Sequence, residues 1–368
     1  MQLFYDLFAN VLNFTWQEGV MILIGCLLIT LAIKREMEPA LLLPMGFGAI
    51  LVNLPFVSTE AIETLFHTGV ASELFPLLLF IGIGAMIDFG PLLSNPKMFL
   101  FGAAAQFGIF FTLVVAVMAG FDLPDAASAA IIAAADGPTS IYVANYFQSR
   151  YQGAIMVAAY SYMAMVPIIQ PPIIKAITTK KERMIRMEYN PSTVTKTTRI
   201  LFPIFVTVIA GTVAPKSAEL IGFLMFGNLI RECGVLENLS QSAQHELANL
   251  ITLLLGISVA FKMQAELFVT WQTLLILALG LVGFVFDTVG GVFFAKLLNL
   301  FSKKKVNPMI GAAGISAFPM ASRVVHKMGR DEDPYNFLLM HAAGANVSGQ
   351  IASVIAGGLI ITLVENLL

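Results

Sequence analysis

Apolar residues run in blocks of roughly the twenty that cross a bilayer, parted by short polar segments. This pattern predicts membrane spans over 19–34, 39–54, 73–90, 98–120, 152–178, 199–214, 215–230, 247–265, 271–298 and 335–364. Two further apolar stretches, 125–147 and 308–328, carry central Gly and Pro and read as paired half-helices, each forming a re-entrant hairpin. Ahead of the first span, Leu3, Phe4, Leu7, Phe8, Val11 and Leu12 recur at helical spacing, which predicts an amphipathic interfacial helix over 1–18. No segment reads as a cleavable signal.

Basic residues orient the spans. Lys34 and Arg35 place the first turn in the cytoplasm, as do Lys180, Lys181, Arg183, Arg186 and Lys196 for the polar loop 179–198. Lys303-Lys304-Lys305 and the group Arg323, Lys327 and Arg330 form two more clusters, whereas 55–73 holds Glu60, Glu63 and Glu73 with no Lys or Arg. Crossing counts satisfy all of these only if 125–147 returns to the side it left. That hairpin then enters from outside and 308–328 from the cytoplasm.

A faint internal repeat agrees with this count. LLFIGIGAMID (78–88) pairs with TLLLGISVAFK (252–262), and AAADGPTSIYV with GISAFPMASRV, matching Pro138 to Pro319. The expected fold is an all-α polytopic membrane protein of two inverted repeats, 19–178 and 199–368, joined by the cytoplasmic linker 179–198. Each repeat has about five transmembrane helices and one broken or re-entrant hairpin, the transporter pattern. Hairpins entering from opposite faces bring Asp136 and Pro319 together.

Composition sharpens the class. The chain is 58% hydrophobic and 12% charged, with a mean hydropathy of +0.83; soluble domains carry about 25% charged residues. The formal net charge of −2 says little. Cys26 and Cys233 lie far apart in apolar surroundings and read as core-filling thiols. No CxxC, HExxH, GxSxG or Walker pattern appears, and nothing points to nucleic acid.

The candidate chemistry is a set of polar groups inside apolar runs. Asp136 precedes Gly137-Pro138, where a helix from Ala126 should break and free backbone groups, with Thr139 and Ser140 alongside. A carboxylate, hydroxyls and loose carbonyls make an oxygen cage for a small hard cation; the other reading of Asp136 is a plain helix N-cap. In the last span Asn346, Gln350 and Ser353 share one helical face, as cation oxygens or as interhelical hydrogen bonds. Tyr160 and Tyr162 precede Pro167 and read either as part of an interface belt or as bringing one hydroxyl to the Asp136 region. Asp287 is a second carboxylate for cation or proton handling, or a protonated group bonded within the bundle.

Three segments, ADGPTSIYVANYF, YSYMAMVPIIQPPIIKAITTKKER and NPMIGAAGISAFPMASRVVHKMGRDEDPYNFLLMHAAGANVSGQIASVIAGG, resemble the β subunit of the sodium-ion-translocating biotin-dependent decarboxylases. That family serves complexes acting on oxaloacetate, methylmalonyl-CoA, glutaconyl-CoA and malonate. The likeness covers nearly the whole chain, and the absence of a large extension or insertion looks more like the acyl-CoA branch. The resemblance implies a membrane subunit that decarboxylates carboxybiotin on a carrier subunit and couples this to outward Na+ transport, consuming a proton. The alternative is a stand-alone sodium-coupled secondary transporter. By resemblance Asp136 is the central site for Na+ and proton, with Tyr162 as proton donor or exchanger. Thr139, Asn346, Ser348 and Ser353 complete the expected Na+ set, and Asp287 remains a further candidate read from the residues alone. Expected partners are the biotin carrier, the carboxyltransferase α subunit, a small membrane subunit and further β copies, in the bacterial inner membrane.

Overall fold

The computed structural model describes residues 14–55, 57–188 and 194–368, and every regular element among them is helical. Helix α1, Trp16–Arg35, starts at a capping box in which Thr15 and Glu18 satisfy each other's backbone amides. The interfacial helix expected over 1–18 therefore falls on residues 1–13, outside the described residues, and on Trp16 to Glu18, which open the first span.

A run of shorter helices follows before the next long one. Helices α2 (Pro39–Val52) and α3 (Leu74–Met86) have 14 and 13 residues. Next come α4 (Phe99–Ala105), α5 (Phe107–Met118), α6 (Leu123–Ala130), α7 (Gly137–Tyr146) and α8 (Gln152–Ile177). The second half holds α9 (Lys196–Val213), α10 (Ala218–Glu232), α11 (Ala248–Val259), α12 (Trp271–Phe301), α13 (Met309–Ala312), α14 (Met320–Glu332) and α15 (Leu339–Leu367). Among the described residues seven helices are long and apolar enough to cross a membrane, or eight if Glu60–Ala71 and α3, bent by 60°, make one broken span. The expected spans over 39–54 and 73–90 come out shortened, as α2 and α3 with 14 and 13 residues, and that over 215–230 is shifted to α10. Their ends are set by backbone features that hydropathy does not register: a π-helical turn at Phe66–Ala71 and a left-handed Glu73 with φ 65° bound α3.

Burial separates a centre from a rim. Over their most apolar stretches α15 and α8 are 72% and 67% buried, against 17% for α9 and 22% for α1. Cys26, on peripheral α1, is exposed, and Cys233 is half-buried, so neither fills the core as expected; both thiols are free. Helix α2 packs on α11 and α3 on α10, tying the two halves of the chain together.

Both hairpin stretches are broken. Helix α6 tightens into a 3₁₀ turn at Ile131–Ala134, Ala135 turns left-handed at φ 50°, and extended Asp136 leads into α7. The break lies at Ala135–Asp136 rather than at Gly137-Pro138. Gly137 opens α7, and Pro138 sits in the first turn, where no amide donor is needed. Arg150 closes the base of this hairpin, its Nη2 lying 2.7 Å from both Asp122 and Asp125. In the second stretch residues 313–319 separate α13 from α14. Its two flanks share one acceptor: Asn307 and Asn336 donate to the Arg183 carbonyl at 2.8 and 3.0 Å. Arg150 and Arg183 flank opposite ends of the 26-residue α8, which is roughly 39 Å long at 1.5 Å per residue. The hairpins therefore approach from opposite ends of α8 and touch at their breaks, where Ser316 N donates to Ala134 O at 3.2 Å.

Candidate cation site

At that contact the Asp136 carboxylate gathers donors from three segments. Its Oδ2 accepts from Thr139 Oγ1 at 2.8 Å within its own hairpin, from Ser316 Oγ at 2.9 Å in the other break, and from Ser353 Oγ at 2.7 Å on α15. Gln350 Nε2 adds a longer contact at 3.4 Å. Oδ1 has only the Thr139 amide, also at 3.4 Å, so the helix-capping bond is the weak one. Asp136 is 3% exposed, and Thr139 and Ser353 are fully buried. A carboxylate out of water costs several kcal/mol unless partnered; here hydroxyl dipoles surround one oxygen and leave the other open.

The α15 face follows its helical spacing. Asn346 Nδ2 donates to Ile315 O at 2.7 Å, one residue before Ser316, and Gln350 and Ser353 continue the stripe to Asp136. Asn346 Oδ1 is buried without a hydrogen-bond partner among the described residues. Ser348 faces elsewhere: it donates to Met98 O at 2.8 Å or Ala345 O at 2.7 Å and accepts from Gly102 N at 3.1 Å. Tyr162 donates its hydroxyl to Leu277 O on α12. The structure thus brings together Asp136, Thr139 and Ser353, seats Asn346 beside the second break, and bonds Ser348 and Tyr162 to other backbone. Ser316 and the direct Gln350 contact complete the cluster. Ser316 stood in the GISAFP segment aligned with the Asp136 motif, and only that alignment hinted at it.

Asp287 lies apart, fully buried in the unbroken α12, with no side-chain donor on either oxygen. Its carboxylate faces the backbone amides of Gly108 and Ile109, in the first turn of α5 just past the break at Gln106. A Cβ on Gly108 would lie 2.5 Å from Asp287 Oδ1, and one on Gly283 2.1 Å from Thr112 Oγ1, so only glycine allows so close an approach. Among the described residues no cluster of three or more His, Cys, Asp or Glu exists. One carboxylate ringed by neutral oxygens suits a hard, singly charged ion rather than a transition metal.

Helices broken against each other around one buried carboxylate, inside a bundle of long apolar helices, define a multi-pass membrane protein with a polar centre. Residues 17–364 match the family described as Na+-transporting oxaloacetate decarboxylase beta subunit. The chain is 48% identical to the glutaconyl-CoA decarboxylase subunit beta of Acidaminococcus fermentans, covering 95% of this chain and 94% of that one. It is 47% identical to the methylmalonyl-CoA decarboxylase subunit beta of Veillonella parvula, with 97% and 96% covered. Against the oxaloacetate decarboxylase beta chain 2 of Salmonella typhi it is 43% identical, with 94% and 95% covered. The chain belongs to this family of decarboxylase β subunits. It is the membrane subunit of a sodium-translocating decarboxylase rather than a free-standing transporter.

Proposed function

We propose that the Asp136 carboxylate binds Na+ and H+ in alternation and so couples decarboxylation of carboxybiotin to outward sodium transport. The observation that carries this reading is the meeting of three hydroxyls from three segments on Asp136 Oδ2. Thr139, Ser316 and Ser353 can turn lone pairs to a cation, and the unpartnered Asn346 Oδ1 adds an oxygen. A single negative charge among neutral oxygens offsets lost hydration, and one carboxylate cannot hold both ions at once. In the chemical step the bond from the ureido nitrogen to the carboxyl carbon breaks, CO2 leaves and the nitrogen takes a proton. Tyr162 hands on that proton, and Asp136 releases it as Na+ enters. Moving one charge against 100 mV costs about 2.3 kcal/mol, within reach of a decarboxylation. Ser348, bonded to α4, lies in an outer part of the sodium pathway, and Asp287 lies outside the cation site.

The same reading takes 19–178 and 199–368 as inverted repeats across the linker 179–198. The pairing of α2 with α11 and of α3 with α10 supports it, because repeat symmetry exchanges these two pairs. So do the π-helical turns ahead of α3 and of α11. The linker and the second hairpin face the cytoplasm, where biotin on a carrier subunit delivers the carboxyl group from a carboxyltransferase α subunit. Arg183 and Arg186 are already paired with Glu332 and Asp333, so attraction of the anionic carboxybiotin falls to the other basic residues of 179–186 and 323–330. The peripheral faces of α1 and α9 meet lipid, a small membrane subunit or further β copies in the bacterial inner membrane. Higher identity to the glutaconyl-CoA and methylmalonyl-CoA relatives supports an acyl-CoA substrate upstream.

The test is sodium uptake into inverted vesicles holding the assembled complex. Carboxybiotin decarboxylation should accumulate Na+ in the lumen and slow when sodium is omitted. A rate indifferent to sodium defeats the proposal.

A further inference from the structure

Helix α8 carries a second tyrosine two residues before Tyr162, and the two phenols are placed differently. Tyr162 gives its proton to Leu277 O. Tyr160 is 2% exposed, and its hydroxyl has no hydrogen-bond partner among the described residues. Its ring presses on the backbone next to Asp136: a Cβ on Gly137 would fall 2.1 Å from Tyr160 Cε1 and 2.2 Å from Cζ, the carbon that bears the hydroxyl. Glycine at 137 is what admits the phenol there.

A buried hydroxyl with no partner weakens a fold, and phenylalanine would fill the same space without it. The hydroxyls of Thr139, Ser316 and Ser353 all have acceptors within the Asp136 cluster. Tyr160 Oη, by contrast, has lone pairs and a proton uncommitted. We propose that Tyr160 Oη is a further neutral oxygen of the cation site, coordinating a hard monovalent cation held by Asp136, directly or through one of its waters. No bond to hydrogen breaks in this role; the phenol stays neutral and a lone pair turns to the ion. The inference rests on the reading of Asp136 as the sodium site and extends it by one ligand.

The experiment compares Tyr160→Phe with the parent protein in the complete complex reconstituted in vesicles, alongside Asp136→Asn. Tyr160→Phe should raise the half-saturating sodium concentration roughly tenfold, the loss of one oxygen contact to a charge, and leave the rate at saturating sodium within about twofold. Its thermal midpoint without sodium should equal or exceed that of the parent, and the rise caused by sodium should need correspondingly more of it. An unchanged half-saturating concentration overturns the proposal, whatever happens to the maximal rate. A lower midpoint without sodium overturns it too, because the hydroxyl would then be bonded within the fold. If Asp136→Asn keeps its sodium response, the reading of Asp136 as the sodium site fails, and the role of Tyr160 falls with it.

Discussion

Asp136 and Asp287 are both carboxylates sealed from water, yet three hydroxyls converge on the first and no side chain donates to the second. The difference lies in the backbone around them. Asp136 stands at a break, where α6 and α7 part and the second hairpin and α15 can deliver side chains to one point. Asp287 stands in the middle of an intact 31-residue helix. There Gly108 and Gly283 bring α5 and α12 so close that no side chain fits between them, and only amides reach the carboxylate. Burial of an acid does not by itself gather polar partners; converging breaks do. Asp287 instead lies against the first turn of α5, just past the interruption at Gln106.

Removing each charge in turn tests this contrast most sharply. Asp136→Asn keeps an oxygen to accept the hydroxyls but loses the charge that holds a cation. It should lower sodium-stimulated decarboxylation by at least about a hundredfold, equivalent to about 2.7 kcal/mol, while the complex still assembles. Retained stimulation would end the site assignment. Asp287→Asn should leave the half-saturating sodium concentration where it was. A sodium requirement that rose in Asp287→Asn would place that carboxylate in the ion path after all.

The next largest effects separate the hydroxyls of the Asp136 cluster from Ser348, on another face of α15. Ser353→Ala and Ser316→Ala each remove a charge-assisted hydrogen bond and a cation oxygen, together worth about 1.5–3 kcal/mol. Each should raise the half-saturating sodium concentration by about ten-fold or more. Ser348→Ala should change it by less than about twofold, since its hydroxyl serves Met98 and Gly102 backbone. Titrating decarboxylation against sodium in the three variants decides it; equal shifts would erase that distinction.

What the sequence made legible follows from which features are local. Asp-Gly-Pro-Thr marks a helix start by its own chemistry, and Asn346, Gln350 and Ser353 share a face through 3.6-residue periodicity alone. Ser316 is different: it lies in a non-helical turn with no periodicity to place it, and its partner is 180 residues away. Tyr160 and Tyr162 are two positions apart, about 200° around the helix, so which one meets Asp136 depends on how α8 is rotated. Packing sets that rotation, and pattern does not. The same reasoning covers Ser348 against Gln350. Helix ends at a left-handed Glu73 or a π turn likewise depend on tertiary fit, which is why hydropathy gave a longer span than α3 reaches.

The smallest expected effect lies at the other end of α8, where the linker meets the base of the second hairpin. Arg186 forks onto Asp333, with Nη2 3.0 Å from Oδ1, and stacks over Tyr335 at 5.5 Å. The guanidinium holds the Asp333 carboxyl below its ordinary value of 3.8. A depressed carboxyl pKa stabilises the folded state above the ordinary value, and that contribution disappears as pH falls through the lowered one. Asp333→Asn should therefore lower the thermal midpoint slightly at neutral pH. The gap to the parent should close on acidification, once the parent's own carboxyl is protonated. Arg186 is largely exposed, so salt should shrink the gap as well. Unlike the Asp136 cage, where breaks and burial hold every partner in place, this contact is a solvated clasp. Its loss should free residues 178–187 to trypsin without altering the sodium dependence. Sodium dependence that moved with Asp333→Asn would show that the clasp and the cage form one unit.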